Sequence, residues 1–287
     1  MIRLGTRGSA LALVQAEFVA SALGGEVELV TIATSGDRGQ APNDKSRWTS
    51  ALERALLDDE IDIAVHSAKD VPGELADGTC IIAIPGRQDP RDAICGTAGI
   101  ASLRSGARIG TSSIRRAAQI RAVRGDLEVV EVRGNVDTRL RKLAAGEFDA
   151  LVLAVAGLRR LALESEIGVV LDLVPAPGQG ALLVQARAGD DRARHINDAL
   201  TERCVLSERA IASRLEATCA TPLGALAVPA SGTDVTLKAW VGLPDGSHWI
   251  ADELTGPAAR VAADVAERMR AAGASELLER AEEMAAA

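Results

Sequence analysis

"ARIGTSSIRRAAQIRAVRGDLEVVEVRG", running from Ala107 to Gly134, is the stretch on which the fold turns. "ARIG" has strand character, "TSS" is a polar turn, and "IRRAAQIRAV" has helical spacing closed by Gly125. "LEVVEVRG" then alternates apolar and polar residues as a strand does. Strand, turn, helix, strand is a βαβ unit, and such units predict a parallel sheet covered by helices.

The pattern recurs on both sides. Upstream, "IRLGT" is a strand, Arg7-Gly8-Ser9 a turn, and "ALALVQAEFVASAL" a helix stopped by Gly24-Gly25. "VELVTIAT", "IDIAVHS" and "GTCIIAIP" are further strands, with the amphipathic "SALERALLDD" between the first two. Downstream, "VDTRLRKLAAG" is a helix and "DALVLAVAG" a buried strand, so a second α/β unit spans about Asp92 to Val174. "PAPGQGAL", Pro175 to Leu182, is rich in Pro and Gly and reads as an interdomain crossing. A long helix follows from about Asn197 to Glu216, then a loop bearing Cys219 and Pro222. "VTLKAWVG" and "HWIADELTG" form a hairpin around Pro244-Asp245-Gly246, and the chain ends in helix. Two or three domains are what 287 residues predict.

Composition excludes several functions. A net charge of -8, aromatics at 2% and no tyrosine argue against nucleic-acid binding, which wants a basic face or stacking rings. No apolar run reaches the 18 residues of a membrane span, and no secretion signal follows Met1, so the expected compartment is the cytoplasm. Cys80, Cys95, Cys204 and Cys219 form no C-x-x-C pair and only three histidines accompany them, so no metal site is expected. Cys219 alone lies on an expected loop, placed to react.

Three strand-to-helix junctions hold the chemistry: Arg7 with Ser9; His66, Ser67, Lys69 and Asp70; and Thr111 to Ser113 with Arg115 and Arg116. In open α/β sheets ligands bind beyond the carboxyl ends of the strands, where helix starts offer free N–H groups. An arginine there makes a bidentate clamp for a carboxylate or phosphate. Ser112 reads as the N-cap, and Arg121 and Arg124 as a solvated face. Arg115 and Arg116 leave two readings open, helix surface or anion clamp. Arg133 and Arg139 repeat the theme, favouring a ligand with several carboxylates. Lys69 beside Asp70 reads either as a surface ion pair or as a carboxylate poised for proton transfer. On these residues alone, a solute-binding protein closing on a dicarboxylate also stands.

"TRGSALAL", "DIAVHSAKDVP", "DPRDA", "GTSSIRR", "RGNVDTRL", "LAVAGLRRL" and "PAPGQGA", in this order, resemble the porphobilinogen deaminase (hydroxymethylbilane synthase) family over nearly the whole chain. The resemblance implies two periplasmic-binding-protein-like (type II) α/β domains facing a cleft, plus a small α+β C-terminal domain. The boundaries expected are 1–90 with 180–198, 91–179, and 199–287. It implies an enzyme, a monomer, that joins four porphobilinogen molecules head to tail on a dipyrromethane cofactor, with loss of ammonia, and releases hydroxymethylbilane. By matching motifs, Cys219 would carry the cofactor through a thioether, and Lys69, Asp70, Ser113, Arg115, Arg116, Arg133 and Arg139 would contact it. Arg7, Ser9, Arg133, Arg139, Arg160 and Gln179 would bind substrate, and Asp70 would be the catalytic carboxylate. The acetate and propionate of every pyrrole would account for the arginines. This chain departs from the family pattern in having Ala217 and Thr218, where relatives carry two glycines before the cysteine. It departs again at "QAPNDKSRWTSALE", where Lys45 and Trp48 would stand for a family lysine and phenylalanine.

Overall fold

The structure, a computed structural model, describes residues 1–36, 46–218 and 221–286. The chain divides into two compact units, one of residues 1–88 and 178–206 and the other of residues 89–177 and 207–287.

In the first unit the expected alternation is present: β1 (Ile2–Thr6), α1 (Ala10–Leu23), β2 (Val27–Thr31), α2 (Ser46–Leu57), β3 (Ile63–Ser67) and β4 (Thr79–Ala83). β3 runs straight into a single 3-10 turn, Ala68–Asp70. In the second unit come β5 (Asp92–Cys95), β6 (Arg108–Gly110), α3 (Ile114–Val123), β7 (Glu128–Val130), α4 (Val136–Ala144), β8 (Ala150–Ala154), α5 (Val155–Arg160) and β9 (Val169–Leu171). β10 (Leu182–Arg187) returns to the first unit, and α6 (Ala199–Arg214) begins in one unit and ends in the other. β11 (Leu223–Pro229), β12 (Asp234–Gly242), β13 (Trp249–Pro257), α7 (Ala258–Ala271) and α8 (Ala274–Ala286) complete the chain.

The first sheet has the order β2-β1-β3-β10-β4 and the second β7-β6-β8-β5-β9. Numbered by arrival within its unit, each reads second, first, third, inserted strand, fourth, the type II binding-protein arrangement. The parallel pairing expected of βαβ units holds for β1 with β2 and β3 and for β6 with β7 and β8, but one strand in each sheet departs from it. β10 is antiparallel to both β3 and β4, and β5 is antiparallel to both β8 and β9. Parallel pairing needs a crossover, usually helical, and neither of these strands is delivered by one. "DALVLAVAG" also divides, its first half the buried β8 and its second half the short α5.

Each face of the first sheet has its own core. Leu4, Val19, Ile63 and Val65 pack under α1, and Leu52, Leu56, Ile61 and Ala64 under α2. The second sheet is filled likewise on both sides, by Ile94, Ile109, Ile120 and Val152 on one and Leu151, Leu153 and Leu158 on the other. Two-faced burial is why these strands read as continuous apolar runs. The third sheet, β11-β12-β13, is an antiparallel meander covered by α7 and α8. Its Trp240 packs with Ala118 of α3 and with Val174. The hairpin at Pro244-Asp245-Gly246 and the α+β ending are as expected.

Candidate functional site

In the first unit the chemistry sits where strands give way to helical turns. β1 ends at Thr6, Arg7 follows, and Ser9 caps α1, its Oγ accepting from the Ala12 N–H at 3.3 Å. The Arg7 guanidinium carbon lies 4.0 Å from the centroid of the Trp48 ring. At the end of β3, Ser67 Oγ bonds the buried Gln15 amide. The Ala68 N–H then donates to the Ala181 carbonyl at 3.0 Å, joining the turn that carries Lys69 and Asp70 to the "PAPGQGA" segment. Lys69 Nζ donates to Gln179 Oε1 at 3.3 Å, and the Gln179 carbonyl accepts from Arg87 Nε at 2.9 Å. Gln179 is thus buried beside Lys69, 110 positions away in sequence. Asp70 is half-buried. Gly178, with φ +75°, lets the segment approach: a Cβ there would stand 2.9 Å from Ala68 Cβ and 3.2 Å from the Lys69 nitrogen.

His66, one residue before Ser67, is buried, and its Nε2 has no hydrogen-bond partner among the described residues. Burial lowers its pKa to about 4, reinforced by the charge of Arg7 and opposed by Gln185.

In the second unit α3 starts at Ile114 and its cap is Ser113, whose Oγ accepts from the Arg116 N–H at 3.4 Å. The expected cap, Ser112, is exposed instead. Thr111 Oγ1 accepts from the Ser113 N–H at 3.2 Å and turns the chain one residue longer before the helix begins. Arg115 and Arg116 then point inward, both buried, onto a fully buried Asp92. Arg115 Nη1 is 2.9 Å from Asp92 Oδ2 and donates to the Val174 carbonyl at 2.8 Å. Arg116 donates to Asp92 Oδ1 from Nε at 3.0 Å and Nη2 at 2.7 Å, and from Nη1 to the Val152 carbonyl at 2.9 Å. The two guanidiniums hold the Asp92 carboxyl far below the usual carboxylate range, against the pull of burial.

Arg121 and Arg124 are not a solvated face, which corrects the sequence reading. Arg121 donates to the carbonyls of Pro244 and Val129, and Arg124 to those of Ile100 and Leu103 while pairing with Asp126. Backbone carbonyls before and after the helix in sequence supply these acceptors, which the helical period of α3 alone does not reveal.

Arg133 is exposed and pairs with Glu131 at 2.8 Å. Arg139, on α4, donates to the Gly134 carbonyl at 2.7 Å. Its pKa is lowered by burial and then by the charge of Arg116. Arg160 is half-buried at the end of α5, and burial lowers its pKa to about 10. Arg115 and Arg116 thus set two guanidiniums on the one carboxylate of Asp92, Arg139 is near enough to feel the charge of Arg116, and an anionic ligand would relieve the repulsion. A group with several carboxylates, such as a dipyrromethane, fits such a donor set.

Cys219 and Lys45 lie outside the described residues. At Ala217 and Thr218 the backbone is not left-handed; that conformation falls on Glu216, with φ 54°. Glycine is therefore not demanded at 217 and 218. Thr218 Oγ1 instead donates to Glu282 Oε1 at 2.8 Å. Asp92 was given no role by sequence reasoning, although an aspartate opening an otherwise apolar strand, "DAIC", is a signal that a cation must meet it.

Comparison with known proteins adds the following. A family model described as "Porphobilinogen deaminase, dipyromethane cofactor binding domain" matches residues 2–195, and one described as "Porphobilinogen deaminase, C-terminal domain" matches residues 202–271. The chain is 45% identical to the porphobilinogen deaminase of Thermus thermophilus over 270 residues, covering 89% of this chain and 90% of that one. It is 41% identical to that of Brevibacillus brevis over 297 residues, 96% of each, and 49% identical to that of Rubrobacter xylanophilus over 262 residues, 85% of each. Among solved structures, it is similar to a periplasmic substrate-binding protein of an ABC transporter from Coxiella burnetii. The TM-score there is 0.42 and the identity 15%, over 68% of this chain and 90% of that one.

Proposed function

Because the chain belongs to the porphobilinogen deaminase family, we propose that Cys219 carries its dipyrromethane and that Asp70 is its catalytic carboxylate. The protein is an enzyme that joins porphobilinogen into hydroxymethylbilane, with dipyrromethane as cofactor. The single observation that carries the assignment of residues is the pair of guanidiniums, Arg115 and Arg116, set on one buried carboxylate, with Arg139 near enough to feel the charge of Arg116. That local surplus of positive charge suits a cofactor and a product chain that bear a carboxylate on every arm.

The bound dipyrromethane supplies the pyrrole carbon from which the chain grows. Arg115, Arg116, Arg133 and Arg139 hold carboxylates of cofactor and substrate, the two buried ones also serving as anchors of α3. Ser113, whose hydroxyl caps the start of that helix, takes the cofactor there. Arg7, Ser9, Arg160 and Gln179 take substrate, and Lys69, braced by Gln179, takes the cofactor. When the protonated amino group of a substrate's aminomethyl arm leaves as ammonia, the methylene stays on the ring and the pyrrole carries the positive charge, which Asp70 stabilises; Asp70 also accepts the pyrrole N–H proton. The domain division we adopt is 1–90 with 180–198, 91–179, and 199–287, in a cytoplasmic monomer.

The test is the intact mass of the denatured protein beside steady-state kinetics. Wild type is heavier than its sequence by two linked pyrroles. Cys219→Ser has the bare mass, while Cys80→Ser, Cys95→Ser and Cys204→Ser keep the addition. Asp70→Asn keeps the added mass and a normal melt but turns over about 10²-fold more slowly. An unmodified, active wild type overturns the Cys219 assignment, and a folded Asp70→Asn variant with normal turnover removes Asp70 from the chemistry.

A further inference from the structure

We propose that Trp48 is a positioning residue for Arg7: its indole holds the guanidinium above the β1–α1 turn, and so sets the affinity of Arg7 for a substrate carboxylate. The inference rests on the reading of Arg7 as a substrate ligand. Two observations carry it. The guanidinium carbon stands 4.0 Å from the ring centroid, at stacking distance. The indole itself has a built seat, because a Cβ on Gly36 would lie 2.3 Å from both Trp48 Cε3 and Cζ3. The φ of Gly36 is not in the left-handed region, so the space taken by the indole is what excludes a side chain there.

Stacking uses the face of a guanidinium and leaves its N–H edge for a carboxylate. An arginine in a turn otherwise spends its time among many rotamers, and a ligand must pay for ordering it. A ring that orders it beforehand improves binding without touching the ligand. Indole attracts a cation better than benzene does, and an aliphatic side chain does not attract it at all. The three side chains therefore form a graded series at this position.

The experiment measures kcat and KM for porphobilinogen on cofactor-loaded protein, loading being checked by intact mass. Trp48→Leu raises KM about five- to tenfold with kcat changed less than twofold, and Trp48→Phe raises it about twofold. Gly36→Ala, which drives the indole from its seat while leaving Trp48 and Arg7 in place, reproduces part of the rise; it carries the test should Trp48→Leu fail to fold. In an Arg7→Ala background the further change to Leu has no effect on KM. A wild-type KM in Trp48→Leu overturns the proposal. So does a KM rise of the same size with and without Arg7, which would mean that the indole meets the substrate directly. A normal KM in Arg7→Ala alone, with a raised one in Trp48→Leu, instead removes Arg7 from substrate binding and leaves the indole acting by another route.

Discussion

At the scale of the residue, His66 is a buried imidazole that resists its proton. Its pKa is lowered to about 4, first by burial and then by the charge of Arg7. The unfolded chain, with an ordinary imidazole near 6.5, binds that proton more readily. The stability His66 allows is therefore whole above about pH 6.5 and falls as the pH drops toward 4, by up to about 3 kcal/mol. Denaturant unfolding at a series of pH values checks this: a neutral His66→Gln variant loses less stability than wild type between pH 7 and 4.5, and parallel curves would refute it. Residue identities were the most legible level of the sequence, their orientations the least. Arg115 and Arg116 stand out in "GTSSIRR", yet that they turn inward depends on Asp92, more than 20 positions upstream on strand β5. Arg121 and Arg124 looked solvated because their acceptors are carbonyls of Pro244, Val129, Ile100 and Leu103, which no local pattern announces. Charge is read from sequence; the partner that neutralises it is a tertiary fact.

At the scale of the element, the 3-10 turn Ala68–Asp70 is set by a chain segment that arrives 110 residues later. Gly178→Ala puts a side chain at φ +75° and 2.9 Å from Ala68 Cβ. The left-handed conformation alone costs about 1–2 kcal/mol, and the collision displaces the turn that bears Lys69 and Asp70. Gly189→Ala is the matched control, since it has φ +87° but nothing within 4 Å. The thermal melt of Gly178→Ala falls at least as far as that of Gly189→Ala, whereas the turnover of Gly178→Ala falls about tenfold or more and that of Gly189→Ala holds. Equal turnover in the two would detach the turn from Gly178. The elements themselves were mostly legible, because strands buried on both faces and helices with caps and glycine stops carry local signals. Strand direction was not. β5 and β10 read as ordinary apolar strands, and only the missing crossovers make them antiparallel.

At the scale of the whole molecule, each five-stranded sheet is finished by a strand inserted between its third and fourth. In the second sheet that strand, β5, comes first in the local sequence; in the first sheet, β10 comes last. A fragment of residues 1–177 therefore lacks the strand that β4 pairs with, since β10 is its only sheet partner among the described residues. Hydrogen exchange of that fragment shows little protection in β1, β3 and β4, and extending it to residue 206 restores the protection. Full protection in the shorter fragment would mean that β10 is dispensable.

The insertion of β10 also has a consequence in time. β4 is complete at Ala83, but the strand that must enter beside it is complete only at Arg187. At the usual 5–20 residues per second of synthesis, the edges of β3 and β4 wait about 5–20 s for their partner, open to mispairing or to a chaperone. The second sheet has no such wait, because all its strands lie between Asp92 and Leu171. It closes on the ribosome before the first sheet does, although it is encoded after it.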